Sequence, residues 1–448
     1  MNQNLSTAKV SFYTAVSLVV ANMIGAGVFT SLGYQVLGGV TNTFPLLMLW
    51  LVGGIVALCG ALSYGELAGM MPRSGGEYHF LSKIYHPAYG FLSGWASMWV
   101  GFAAPIALSA MALGRYVSAV FPALPEQAVA LSVLVLITLI HATDLKLGSI
   151  FQIFSTSVKV TLIIVFIGLG LLLTPEPQPV NLLPVTGDWS MIFSGGFAVS
   201  LAFVSFAYSG WNASAYLATE IENPQRNVPR SLFLGTLAVM IAYLLLNFVF
   251  LYTVPAAVYG AEQAKLGTSL EVGYVSAQMF LGGVGSQVMG MVIALLLISS
   301  ISAMVFAGPR VTQVMGQDLH LLRFWARTNA KGIPSMAIVF QSLVAAVLIL
   351  TSTFDQVLFA IAFTLDIFTF STVLGVFVMR LRTPSAPRPY RTWGYPITPL
   401  IFLAATGWTM YFIFTTRTKE SLVALAIVGA GLLVYLINEQ VKPKTQNN

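Results

Sequence analysis

Charge is what this chain lacks. Only 8% of its residues are Asp, Glu, Lys or Arg, while 57% are hydrophobic. Soluble domains carry about a quarter charged residues, so a soluble fold is excluded. Disorder is excluded by the same imbalance, except in the last residues, "KPKTQNN". Cysteine is nearly absent too. Cys59 is the sole one and lies in an apolar run, so no intrachain disulfide is available and no loop thiol can tether a partner. The four histidines, His79, His86, His141 and His320, are scattered near span ends. Neither an H-E-x-x-H motif nor a Walker A loop is present, which argues against a metalloenzyme and an ATP-driven pump. A channel would need a filter-like segment or a ring of charge, and neither is found. No cofactor and no metal site are expected.

What fills the chain instead is long apolar runs. A membrane-spanning helix needs about 20 apolar residues. Runs of that kind lie near 12–37, 45–70, 89–120, 127–143, 148–173, 191–218, 231–254, 286–309, 333–352, 357–380, 396–415 and 421–438. The expectation is an all-α polytopic membrane protein of twelve spans, forming a single domain over 1–448. The first run lacks a basic start and a convincing A-x-A site, so it reads as an uncleaved span rather than a signal peptide. With the N-terminus placed in the cytoplasm, only Arg115, Lys265, Arg417 and Lys419 fall outside, and Lys159 falls within a span. The other basic residues lie inside, the asymmetry expected of cytoplasmic loops. Both termini are therefore expected in the cytoplasm, at a bacterial inner membrane. The net charge of +6 reports these loops, not nucleic acid. The segment "RSGGEYHFLSKIYHPAYG" reads as amphipathic and lying at the inner surface, and 255–285 as an outer stretch with short surface helices.

Two spans are interrupted. "IGAGVF" at 24–29 and "FAYSGWNAS" at 206–214 place glycine in the middle of the first and sixth spans. A break in lipid strands N–H and C=O groups, each costing several kcal/mol unless a cavity or ligand satisfies it. The freed N–H groups suit a carboxylate and the freed carbonyls an ammonium group. Paired breaks five spans apart are a sign of inverted-repeat transporters, with the ligand held at the midplane. Close packing of helices is the competing reading of such glycines.

Two charges stand deep in apolar runs, Lys159 in "FSTSVKVTLII" and Asp366 in "FTLDIFTF". Charges at such depth are costly and mark function by default. Lys159 is too deep to snorkel to the surface. Asp366 faces either a distal pocket, where it meets a polar or amine-bearing group, or a hydroxyl or unwound backbone. Glu66, Glu220 and Glu222 lie at inner span ends and are expected to pair with Arg73, Arg226 or Arg230. In "ENPQRNVP", Pro224 and Pro229 read as a turn between two helices.

The ordered set "MIGAGVF", "YGELAGMMPRSGGEYHFL", "FAYSGWNASAYLATEIENPQRNVPRS", "GPRVTQVMGQD" and "LRTPSAPRPYRTWGYPITP" resembles the amino acid–polyamine–organocation (APC) superfamily, and within it the bacterial relatives of the L-type amino acid transporters. The resemblance covers nearly the whole chain. It implies the LeuT fold, with inverted repeats of five spans near 12–173 and 191–380 and extra helices over 396–438. It implies a secondary amino acid transporter working by alternating access, for neutral L-amino acids. A proton-coupled symporter or an exchanger of polyamines, polar or cationic amino acids is the alternative. By resemblance, the backbone of Met23, Ile24, Gly25, Ala26 and Gly27 surrounds the substrate carboxylate. That around Phe206, Ala207, Ser209 and Gly210 holds the amino group. Phe206 is the aromatic gate, and Asn212 helps to line the pocket and couple the gates, with Trp211 and Asp366 as further pocket residues. Arginine antiporters of the superfamily carry glutamate at the Asn212 position, so a dibasic substrate is disfavoured. Lys159 stands where relatives use a lysine in place of sodium, bracing the first break against the eighth span. Sodium independence is therefore implied. The mammalian members attach to a heavy chain through a loop cysteine, which this chain lacks. No disulfide-linked heavy chain is expected, and a homodimer stays open.

Overall fold

The computed structural model describes residues 10–143, 145–266, 272–330 and 332–441. The polar tail at 442–448 lies outside the described residues. The first half of the chain forms α1 (Phe12–Met23), α2 (Ala26–Leu37), α3 (Thr43–Met70), α4 (Glu77–Ile84), α5 (Pro87–Ala96), α6 (Ala103–Val120), α7 (Glu126–Thr143), α8 (Leu145–Leu173), α9 (Asp188–Ile192), α10 (Gly195–Tyr208) and α11 (Ala213–Tyr216). The second forms α12 (Pro224–Thr253), α13 (Ala256–Leu266), α14 (Val272–Asp318), α15 (Ser335–Thr351), α16 (Phe354–Arg382), α17 (Ile397–Thr416) and α18 (Thr418–Val441). Among the described residues, ten stretches of helix are long and apolar enough to cross a membrane. Two shorter apolar helices, α10 and α15, lie where the sixth and ninth spans are expected. This is a polytopic, helical membrane protein.

Local chemistry sets several boundaries. The Ser11 hydroxyl accepts from the Thr14 amide to start α1, Ser194 does the same for α10, and Thr353 with Gln356 forms a capping box on α16. A five-residue π-helical turn over Ser97–Gly101 joins α5 to α6 within the third span. The stretch 255–285 carries a short helix, α13, but α14 begins at Val272 and is longer than the expected span. It bends at Gly282, where φ is 71°. Pro224 occupies the first turn of α12, where its missing N–H costs nothing. Pro229 lies inside that helix instead of in a turn, because the chain is already helical from 224 onward.

The ends of the first and sixth spans are joined by backbone. Val10 pairs in parallel with Ile221, its N–H donating to the Glu220 carbonyl at 2.7 Å and its carbonyl accepting from the Glu222 N–H at 3.0 Å. The expected acid–base pairs are corrected. Glu66 binds Arg380 at 2.6 Å and Arg388 at 3.3 Å, Glu220 binds Arg310 at 3.4 Å, and Arg73 binds Asp318 at 2.8 Å. Every partner is distant in sequence, Arg380, Arg310 and Asp318 from other spans and Arg388 from the segment after α16. Proximity in sequence misled here, because helix ends separated by hundreds of residues converge on one surface.

Candidate functional site

α1 stops at Met23 and α2 restarts at Ala26, leaving Ile24 and Gly25 extended between them. The carbonyls stranded there find protein donors. Lys159, reaching in from α8, is wholly buried. Its ammonium donates to the Ile24 carbonyl at 2.6 Å, the Ala21 carbonyl at 3.2 Å and the Ser300 hydroxyl of α14 at 2.8 Å. Ser300 in turn donates to the Ile24 carbonyl at 2.6 Å. Two polar groups, the ammonium and the hydroxyl, thus converge on one peptide oxygen. On the other side of the break, the first-turn N–H groups of α2 have no side-chain cap from Gly25. They leave a partial positive charge at the start of the helix.

The second break runs from Ser209 to Asn212, between α10 and α11. Gly210 has φ +92°, and a Cβ there would lie 3.0 Å from the backbone of Asn22. The second break therefore touches the last turn of α1, just ahead of the first break, and only glycine fits the contact. Gly27 is already inside α2; a Cβ on it would meet Ala207 Cβ at 2.6 Å. Close packing is what Gly27 provides, while Gly25 stands in the break itself. Tyr243 of α12 links the two breaks, its hydroxyl lying 2.7 Å from the Met23 carbonyl and 3.0 Å from the Ala207 carbonyl.

Beneath the second break sits an acid. Glu77, the first residue of α4, is 2% exposed. Its Oε1 accepts from the Tyr64 hydroxyl and the Asn212 amide, both at 2.7 Å, and its Oε2 accepts from the Tyr216 hydroxyl at 2.7 Å. The Asn212 amide also donates to the Tyr216 oxygen at 3.1 Å. Tyr64 packs edge-on against Trp211, ring centres 4.6 Å apart. Burial raises the pKa of the Glu77 carboxyl, against the three hydrogen bonds that lower it.

A cavity of about 90 Å³ lies where these pieces meet. Asn22, Phe206, Ser209, Gly210, Trp211 and Asn212 line it from the breaks, and Asp366 of α16 lines it from across. Most of the remaining wall is apolar, with Val56, Ala57, Ile361, Leu365 and Phe402 contributing. Asp366 Oδ2 is buried with no hydrogen-bond partner among the described residues. Met23, Ile24, Gly25, Ala26, Gly27 and Ala207 are buried beside the cavity but are not among its lining residues, and Lys159 lies behind them.

Sequence reasoning missed Glu77, Tyr64, Tyr216 and Tyr243. Glu77 stands in a segment read as an amphipathic surface helix, and its only signal is an acid directly after a glycine pair in "SGGEY". Tyr243 is one of 17 tyrosines in aromatic-rich spans, with nothing local to single it out.

The profile of the family described as amino acid permease matches residues 10–433. The chain belongs to that family. Its relatives within it include the b(0,+)-type amino acid transporter 1 of Homo sapiens, 26% identical over 437 residues, which are 95% of this chain and 86% of the relative. The large neutral amino acids transporter small subunit 2 of Mus musculus is 28% identical over 454 residues, covering 98% and 83%. The Asc-type amino acid transporter 1 of Mus musculus is 24% identical over 440 residues, covering 96% and 81%. The match spans nearly every helix of this permease, and both breaks fall within it.

Proposed function

We propose that this permease is a secondary transporter that carries neutral L-amino acids across the cytoplasmic membrane by alternating access. The observation that carries the reading is the contact of two broken helices at one cavity. The uncapped start of α2 offers N–H groups to a carboxylate. The end of α10 offers unwound backbone to an ammonium group. The apolar wall from Val56 to Phe402 suits an uncharged side chain. The names of the relatives support amino acids as the substrate class.

The proposal includes the LeuT fold, with twelve spans in two inverted repeats of five plus two, and both termini in the cytoplasm. It includes sodium independence, because the Lys159 ammonium occupies the carbonyls that a cation would otherwise satisfy. One relative is named a small subunit. A heavy chain linked by a disulfide is not part of the reading for this chain, whose one cysteine, Cys59, is buried.

Asp366 favours a second reading. Its unpartnered Oδ2 at the cavity wall suits a polar or cationic substrate side chain, or a co-transported proton. Uptake of a radiolabelled amino acid and amine panel into proteoliposomes tests both readings. Uptake of neutral amino acids without sodium supports the proposal. Dependence on internal amino acid marks exchange, and drive by a pH gradient alone marks symport. Uptake of none of the panel overturns both.

A further inference from the structure

We propose that Glu77 is a positioning residue of the substrate site, and that α4, which carries it, latches the inner end of the cavity shut. Three observations support this. First, the Glu77 carboxyl binds Asn212 and Tyr216, which both line the cavity, and through Tyr64 it backs Trp211, which also lines it. Secondly, the contact is a seam, not a single bond. The Gly75 N–H donates to the Tyr216 carbonyl at 3.2 Å, and the Ser74 and Thr219 hydroxyls bond to each other. The loop between α3 and α4 therefore follows the chain from α11 to Thr219 at several points. Thirdly, the next residue binds in the opposite direction. The Tyr78 hydroxyl donates to Asp318, the last residue of α14, at 2.9 Å, and Arg73 reaches the same carboxylate at 2.8 Å. One short helix thus fastens the broken sixth span to the end of α14.

The elements it joins are those that must separate to open this end. Tyr64 and the Asn212–Tyr216 segment form one face of the seam, and the end of α14 forms the other. Opening breaks the Glu77 bonds or the Asp318 bonds. If Glu77 lets go, Asn212 loses the acceptor that fixes its amide at the cavity wall. Gate position and site geometry are therefore linked through one carboxyl group. This goes beyond the roles of the two breaks, and only its affinity arm rests on the amino acid reading.

Two readouts test it. The first is transport kinetics of E77Q in proteoliposomes. A glutamine keeps the volume and one acceptor oxygen but cannot accept from both Asn212 and Tyr216 with separate oxygens. KM is expected to rise about fivefold, the ratio for one buried hydrogen bond, with the maximal rate within about twofold. The second needs no substrate. In a C59S background, A57C places a thiol at the cavity wall, where Ala57 is 3% exposed. Its reaction with a membrane-impermeant maleimide in detergent is expected to be about fivefold faster with E77Q added. Y216F keeps the charge and removes one donor; it carries the same labelling test if E77Q fails to fold, with about a threefold acceleration expected. Unchanged labelling in the folded variants overturns the latch. A fall in maximal rate alone, with KM and labelling unchanged, is the mark of a merely structural defect and overturns it too. If the wild type takes up no amino acid, the functional reading fails, and the labelling still decides the latch.

Discussion

The two breaks solve one problem with opposite charges. At the first, the stranded groups are carbonyls, and a buried cation, Lys159, donates to two of them and to Ser300. At the second, the groups to be held are donors, the Asn212 amide and the Tyr216 hydroxyl, and a buried acid, Glu77, accepts from both. The cation comes from a spanning helix and the acid from a short helix in a loop. That difference matters for motion. A brace on a spanning helix moves only with the whole span, whereas one on a loop can let go separately. The first break therefore reads as the fixed half of the site and the second as the half that answers to the gate.

The largest effect is expected from K159A, which leaves the Ala21 and Ile24 carbonyls with fewer donors in a dry interior. Uptake should fall about a hundredfold or more, measured as initial rate in proteoliposomes. Unchanged transport would remove Lys159 from the site and break the comparison at its stronger half. Y243F comes next. It deletes a hydroxyl that lies against carbonyls flanking both breaks, so the rate should fall about tenfold. A loss as deep as that of K159A would mean that joining the breaks matters as much as bracing either.

D366N touches neither break and asks whether α16 reads the substrate instead. The ratio of cationic to neutral amino acid uptake should drop about fivefold, as an acid able to pair with a cation becomes a neutral amide. An unchanged ratio would leave selection to the breaks and the apolar wall. The smallest effect is thermal. Glu77 holds its proton more tightly when buried in the native protein than in the unfolded chain, since its folded pKa is raised above 4.5. Its contribution to stability therefore grows as pH falls toward the raised value and shrinks as pH rises through it. The wild type should gain about a few degrees of melting temperature over E77Q between pH 8 and pH 5. A gap independent of pH would mean that the acid is not titrating in place.

What could be read beforehand follows from the physics of a membrane chain. The helical fold was legible because apolar runs of span length have few alternatives. Lys159 and Asp366 were legible because a charge inside such a run is conspicuous. Gly25 and Gly210 announced the breaks, although Gly27 turned out to serve packing against Ala207. Glu77 was not legible. An acid in a polar loop is ordinary, and only the tertiary fold carries it beneath Asn212. The ion pairs of Glu66, Glu220 and Arg73 escaped for the same reason, since each partner arrives from another span.

The short pairing of Val10 with Ile221 has a consequence of its own. It is made by peptide groups alone, two hydrogen bonds between backbone atoms. Replacing a side chain at either position, other than by proline at 10, leaves those atoms in place. The tie between the two broken spans is thus tolerant of drift in sequence, whereas Lys159 and Glu77 hold their contacts through single side chains that one substitution can remove. In a diverging lineage, the relative placement of the two breaks should outlast the identity of the residues that brace them.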